Sequence, residues 1–138
     1  MRTLIIKSIL YLCAYLPLPI IHSIGVCIGW GLVLIPNRSR QTSKINIAMC
    51  WPEYTSREQR TLLRKSLKET GKTIIETSAL WLRSGENALR LIKCVDGNEL
   101  VEQAIAKGSG VILATPHLGA WEAAGLYGSA QYKITCLY

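Results

Sequence analysis

The sequence predicts an α/β chain: an N-terminal membrane helix, a long amphipathic helix, then the start of a mostly parallel sheet. Three observations predict it. Apolar residues crowd the first 36 positions. A helical rhythm of apolar and basic residues runs from Leu62 to Leu82. Beyond Leu91, short apolar runs alternate with helix-like stretches, as in parallel sheets with right-handed crossovers.

A length of 138 residues suits one domain. Hydrophobic residues make up 49% and charged residues 18%, against about 25% charged in an average soluble protein. Mean hydropathy is +0.22. Because the apolar excess is concentrated at one end, residues 1–36 read as a membrane-anchor segment and 37–138 as a more ordinary globular part.

Residues 4–36 contain one Lys, at position 7, and one His, at position 22. Pro17 and Pro19 break the helix near Leu16. Ile20 to Ile35 then gives 16 residues, near the lower end of what spans a bilayer. One kinked spanning helix, or an interfacial helix followed by a tilted one, both fit. A cleaved signal peptide fits less well, because the apolar region is long and lacks a small-x-small site. The denser positive cluster (Arg38, Arg40, Lys44) follows the segment, which orients the globular part to the cytoplasm. His22 reads as an interfacial or helix-contacting histidine. Gly25, Gly29 and Gly31 suggest close packing against another helix.

The net charge is +7, and the isoelectric point is about 9.3. Arg38 to Lys72 alone holds nine Lys or Arg against three Glu. Such a collar attracts anionic surfaces, either lipid headgroups or an acidic protein. No nucleic-acid motif accompanies it. The five cysteines are odd in number and lack C-x-x-C spacing. They read as free thiols, not as a disulfide framework or a zinc site.

After Pro52, either Ser56 with Gln59 or Thr55 with Glu58 makes a capping box. Leu62, Leu63, Leu67, Gly71, Ile74, Ser78 and Trp81 then follow helical periodicity. The other face carries Arg60, Arg64, Lys65, Lys68 and Lys72. Glu76, in the more apolar half, is either exposed or paired. Further on, Leu91–Val95, Val111–Thr115 and Lys133–Tyr138 read as strands. Asn98–Lys107 and Gly119–Gly128 read as helices, and Gly108 is the first helix's stop.

The chemistry lies in Ala114-Thr-Pro-His-Leu-Gly-Ala-Trp-Glu122. In parallel α/β sheets, functional groups collect beyond the carboxyl ends of strands, and that is where His117 falls. Pro116 ends the strand, and Gly119 lets a substrate approach the backbone. A histidine is suited to take a hydroxyl proton. A carboxylate, here Glu122, orients the imidazole and stabilises its charged form. Five residues span about 500° of helix. The pair therefore works with His117 in the loop and Glu122 in the first turn of the next helix.

Pro116-His-Leu-Gly-Ala-Trp-Glu122 resembles the PHxGxWE block of the bacterial lipid A biosynthesis acyltransferases, the lauroyl and myristoyl transferases. Asn46-Ile-Ala-Met-Cys-Trp-Pro52 is similar to the family's NL…CFP segment. The long helix and the basic run also fit, so the likeness covers most of the chain in the family's order.

The resemblance implies a glycerolipid acyltransferase-like fold, of which residues 37–138 are the N-terminal part, and a sheet truncated after its third strand. It implies acyl transfer from acyl carrier protein to a hydroxyl of a lipid A precursor at the bacterial inner membrane. His117 would be the base, Glu122 its partner and Gly119 a substrate contact. No metal or other cofactor is implied; the carrier-protein thioester is the co-substrate. The alternatives are another glycolipid or lysophospholipid acceptor, or an inactive membrane-bound fragment. A nucleotide-binding domain is disfavoured, since Gly108-Ser-Gly110 precedes its strand and no GxGxxG follows one.

Overall fold

The computed structural model describes residues 2–108 and 110–136. Its helices are α1 (Arg2–Ala14), α2 (Leu18–Leu34), α3 (Arg38–Cys50), α4 (Ser56–Leu82), α5 (Gly85–Leu89), α6 (Asn98–Ala106) and α7 (Glu122–Gln131). They fall into two compact units, Met1–Arg83 and Ser84–Tyr138.

The first unit is built on α4. Thr55 caps it as one of the two sequence alternatives proposed: Glu58 N–H donates to the Thr55 hydroxyl, and the Glu58 carboxylate accepts from Thr55 N–H at 2.8 Å. Both ends of the box are thus satisfied. Helices α1, α2 and α3 all pack on α4. Ile21 of α2 and Leu67 of α4 are fully buried.

Helix α2 runs antiparallel to α4, with Gly25 beside Lys72 and Gly29 beside Lys68. Glycine is required here for space. A Cβ on Gly71 would stand 2.2 Å from the Gly25 carbonyl oxygen and 2.5 Å from the Gly29 nitrogen. The small-residue spacing of α2 therefore serves an internal helix crossing.

One turn further along, His22 Nε2 and the Glu76 carboxylate form a hydrogen-bonded pair, which settles the environment of Glu76. Arg83, just past α4, donates to the carbonyls of Ala14 and Leu16, the latter at 2.9 Å. A cation at the C-terminal end of α1 complements the helix dipole.

Two expectations for fold class are corrected. Pro17 breaks the apolar segment as expected, but the pieces are short. Among the described residues, no single helix is long and apolar enough to cross a membrane. Helices α2 and α3 pass that test only together, and they are bent by 80°. The bend has local causes: Pro36 follows α2, and Asn37 caps α3 by accepting from Arg40 N–H at 2.9 Å. The Asn37 amide also donates to Leu32 and Ile35 carbonyls at the end of α2.

The second correction concerns the sheet. Among the described residues there is no strand: residues 92–95, 111–115 and 133–136 form no regular secondary structure. The last two positions of the Lys133–Tyr138 run lie outside the described residues. Parallel strands need both faces covered. The second unit offers only α6 and α7, of 9 and 10 residues, beyond the single turn of α5. Ile112 accordingly stays 98% exposed. The helices between the runs do form. Asn98 to Ala106 matches expectation, with Gly108 left-handed beyond it (φ 73°). Helix α7 begins three residues later than read, at Glu122.

Candidate active site

The expected chemical segment lies wholly in the second unit and forms a turn leading into a helix. Leu118 N–H donates to the Pro116 carbonyl at 2.8 Å. That i→i+2 bond closes a γ-turn with His117 at its centre. No non-glycine residue among those described has positive φ, so the turn is of the unstrained inverse kind. The turn presents the His117 side chain to solvent.

Gly119 follows with φ 56°. Its Cβ would meet nothing within 4 Å, so the requirement is conformational and not steric. Ala123 N–H to the Ala120 carbonyl, and Ala124 N–H to that of Trp121, then wind the chain into α7.

Glu122 is the first residue of α7 and is half-buried. A carboxylate in the first turn is favoured by the helix dipole. His117 lies edge-on to Trp121, with ring centroids 4.4 Å apart and planes at 62°. His117, Gly119, Trp121 and Glu122 thus share one short segment, with the histidine in the loop and the glutamate in the helix. Trp121 was not singled out from sequence. Its ring restricts the imidazole from one side, and a bulky aromatic four residues after a histidine was the available signal.

A second feature was invisible in the sequence. Beside α7 lies a cavity of about 330 Å³, lined mainly by apolar side chains. Ala123, Ala124 and Tyr127 of α7 line it together with Ile92, Val101 and Leu113. The residues that follow Glu122 along its own helix therefore border an apolar space. Such a cavity assembles from segments 30 residues apart, and no local pattern announces it. Among the described residues, no group of His, Cys, Asp or Glu is arranged to hold a metal ion.

The sequence model of the family described as bacterial lipid A biosynthesis acyltransferase matches residues 2–138. The chain belongs to that family. It is 25% identical over 110 residues to a lipid A biosynthesis lauroyltransferase of Escherichia coli K12, covering 80% of this chain and 36% of that protein. It is 22% identical over 118 residues to a lipid A biosynthesis palmitoleoyltransferase of the same organism, covering 86% and 38%. Against a lipid A biosynthesis acyltransferase of Haemophilus influenzae it is 23% identical over 130 residues, covering 94% and 41%. The chain thus spans well under half the length of these relatives. No solved structure matches it.

Proposed function

We propose that the chain provides the acid–base segment of an O-acyltransferase that moves a fatty acyl group from acyl carrier protein to a hydroxyl of a lipid A precursor. The carrying observation is the placement of His117 in an exposed turn, five residues before a glutamate that opens a helix, within a family of lipid A acyltransferases. His117 takes the proton of the acceptor hydroxyl as its oxygen attacks the thioester carbonyl. The new C–O bond forms, the C–S bond breaks, and His117 passes the proton to the departing sulfur, which leaves as the carrier protein's thiol. Glu122 orients the imidazole and stabilises its charged form. Gly119 leaves the backbone open to substrate.

The apolar cavity beside α7 supports a substrate with an alkyl chain. The work is done at the cytoplasmic face of the bacterial inner membrane, with an anionic glycolipid as acceptor. The chemistry requires no metal or other cofactor.

The test incubates the chain with acyl carrier protein thioester, a lipid A precursor and a lysophospholipid. His117→Ala lowers transfer by roughly 10²–10⁴-fold, the usual share of general acid–base catalysis. Equal transfer by the variant rejects His117 as base. Preference for the lysophospholipid rejects the acceptor, and no transfer by the unmutated chain rejects catalysis by these residues alone.

A further inference from the structure

A base carried on an exposed turn must still hold one orientation. Residues 111–119 are all exposed, and Leu118, next to the histidine, is 75% exposed. A histidine side chain so placed has roughly three staggered wells at χ1 and two at χ2. The bond from Leu118 N–H to the Pro116 carbonyl fixes the backbone of the turn. It does not choose among the wells of the His117 ring.

Trp121 is placed to choose. Its backbone is already helical (φ −53°, ψ −27°), and it stands at the cap position of α7. Its carbonyl accepts from Ala124 N–H at 3.1 Å, so the indole is carried by the helix and not by the turn. Ala120 and Glu122 on either side are half-buried, and Trp121 itself is 37% exposed. Gly119, between the two rings, takes the left-handed φ of 56° that lets the chain double back within four residues. The two rings then meet with centroids 4.4 Å apart and planes at 62°. An edge-to-face approach at such a distance is an arrangement that aromatic pairs prefer.

We propose that Trp121 is a positioning residue for the general base: its indole selects the rotamer in which the His117 imidazole meets the acceptor hydroxyl. This rests on the proposed reaction and adds a member to its site. The indole acts through His117. Without it the imidazole divides its time among the other wells, and the fraction of base ready to react falls by about three- to sixfold. Orientation held in advance speeds the bound complex and leaves substrate affinity alone, so the loss falls on kcat and not on KM.

The experiment uses the full chain and two variants. Trp121→Leu keeps apolar bulk without a ring, and Trp121→Phe keeps a ring. The first measurement is proton NMR of the imidazole C–H groups, with no thioester or acceptor present. The chain has two histidines, so His117→Ala identifies which signals belong to His117. In the unmutated chain the Trp121 ring current displaces those signals from the positions of a free histidine. In Trp121→Leu they return to the free positions, and in Trp121→Phe they stay partly displaced. The second measurement is transfer from acyl carrier protein thioester to the lipid A precursor. Trp121→Leu lowers kcat by about three- to sixfold at unchanged KM, and Trp121→Phe recovers most of it.

His117 signals that stay put in Trp121→Leu overturn the proposal. So does an equal loss of kcat in both variants with lost hydrogen-exchange protection of the α7 amides, which assigns Trp121 to holding the helix. A raised KM at unchanged kcat also overturns it, by making Trp121 a substrate contact. If the unmutated chain transfers no acyl group, the proposed function fails, and the imidazole signals still decide whether the indole places the ring.

Discussion

The two compact units divide the work of the chain unequally. Residues 1–83 hold a net charge of +8, and residues 84–138, with four Lys or Arg against five Asp or Glu, hold −1. The first unit buries Ile21, Ile47, Leu67, Ile75 and Ala79 among helices packed on α4. In the second, Ala88 is the one buried hydrophobic residue among those described. Yet the turn with His117 and Glu122 is in the second. Packing and positive charge are thus concentrated in one unit and the candidate chemistry in the other. The candidate site sits on exposed, lightly packed backbone, of the sort that loops and binding segments use.

Matched glycine substitutions are the strongest way to break this comparison. Gly71→Ala drives a Cβ to 2.2 Å from one backbone atom of α2 and 2.5 Å from another. Neither can yield as a flexible side-chain end would. The α2–α4 crossing must separate, and the expected loss is about 3 kcal/mol or more, at the upper end of overpacking effects. Thermal unfolding followed by circular dichroism measures it, and an unchanged midpoint would show that the first unit is no better packed than the second.

Gly125→Ala, in α7, is the opposite case. A Cβ there meets nothing within 4 Å. The substitution removes the entropic penalty of glycine inside a helix and should stabilise α7 by about 0.5–1 kcal/mol. Hydrogen exchange of the α7 amides measures the gain. A loss of protection would show that α7 packs more tightly than its open surroundings indicate.

Much of the first unit was legible because its signals are local. Pro17 with Pro19, and Thr55 with Glu58, act through neighbouring backbone, so a linear reading finds them. The turn at Pro116 and the helix holding Glu122 were legible for the same reason. The parallel sheet was not. An apolar run such as Val111–Leu113 looks the same whether or not a partner strand lies beside it, because pairing is decided by distant chain. The His22–Glu76 pair, 54 residues apart, was hidden likewise. Helix α3 does have a local signal, Asn37 in cap position after Pro36, but Arg38, Arg40 and Lys44 in its first seven residues give it the look of a polar connection.

The smallest expected effect lies at the start of α4 and depends on pH. The Glu58 carboxyl is held below its ordinary value by hydrogen bonds from the Thr55 hydroxyl and then the Thr55 N–H. A carboxyl whose pKa is depressed on folding stabilises the fold above its unfolded value. That contribution is lost as pH falls through the lower, folded value. At neutral pH the capping box is therefore intact, and it weakens only below the ordinary carboxylate value of 4.5. Glu58→Gln keeps an acceptor for the Thr55 N–H but has no charge to lose. Its unfolding midpoint should lie slightly below the wild-type value at neutral pH, and the two should converge in acid. Thr55→Ala removes the cap itself and should cost about 1 kcal/mol at neutral pH. Because this box lies in the first unit, neither variant should alter hydrogen exchange in α7. A change there would mean that the two units do not unfold separately.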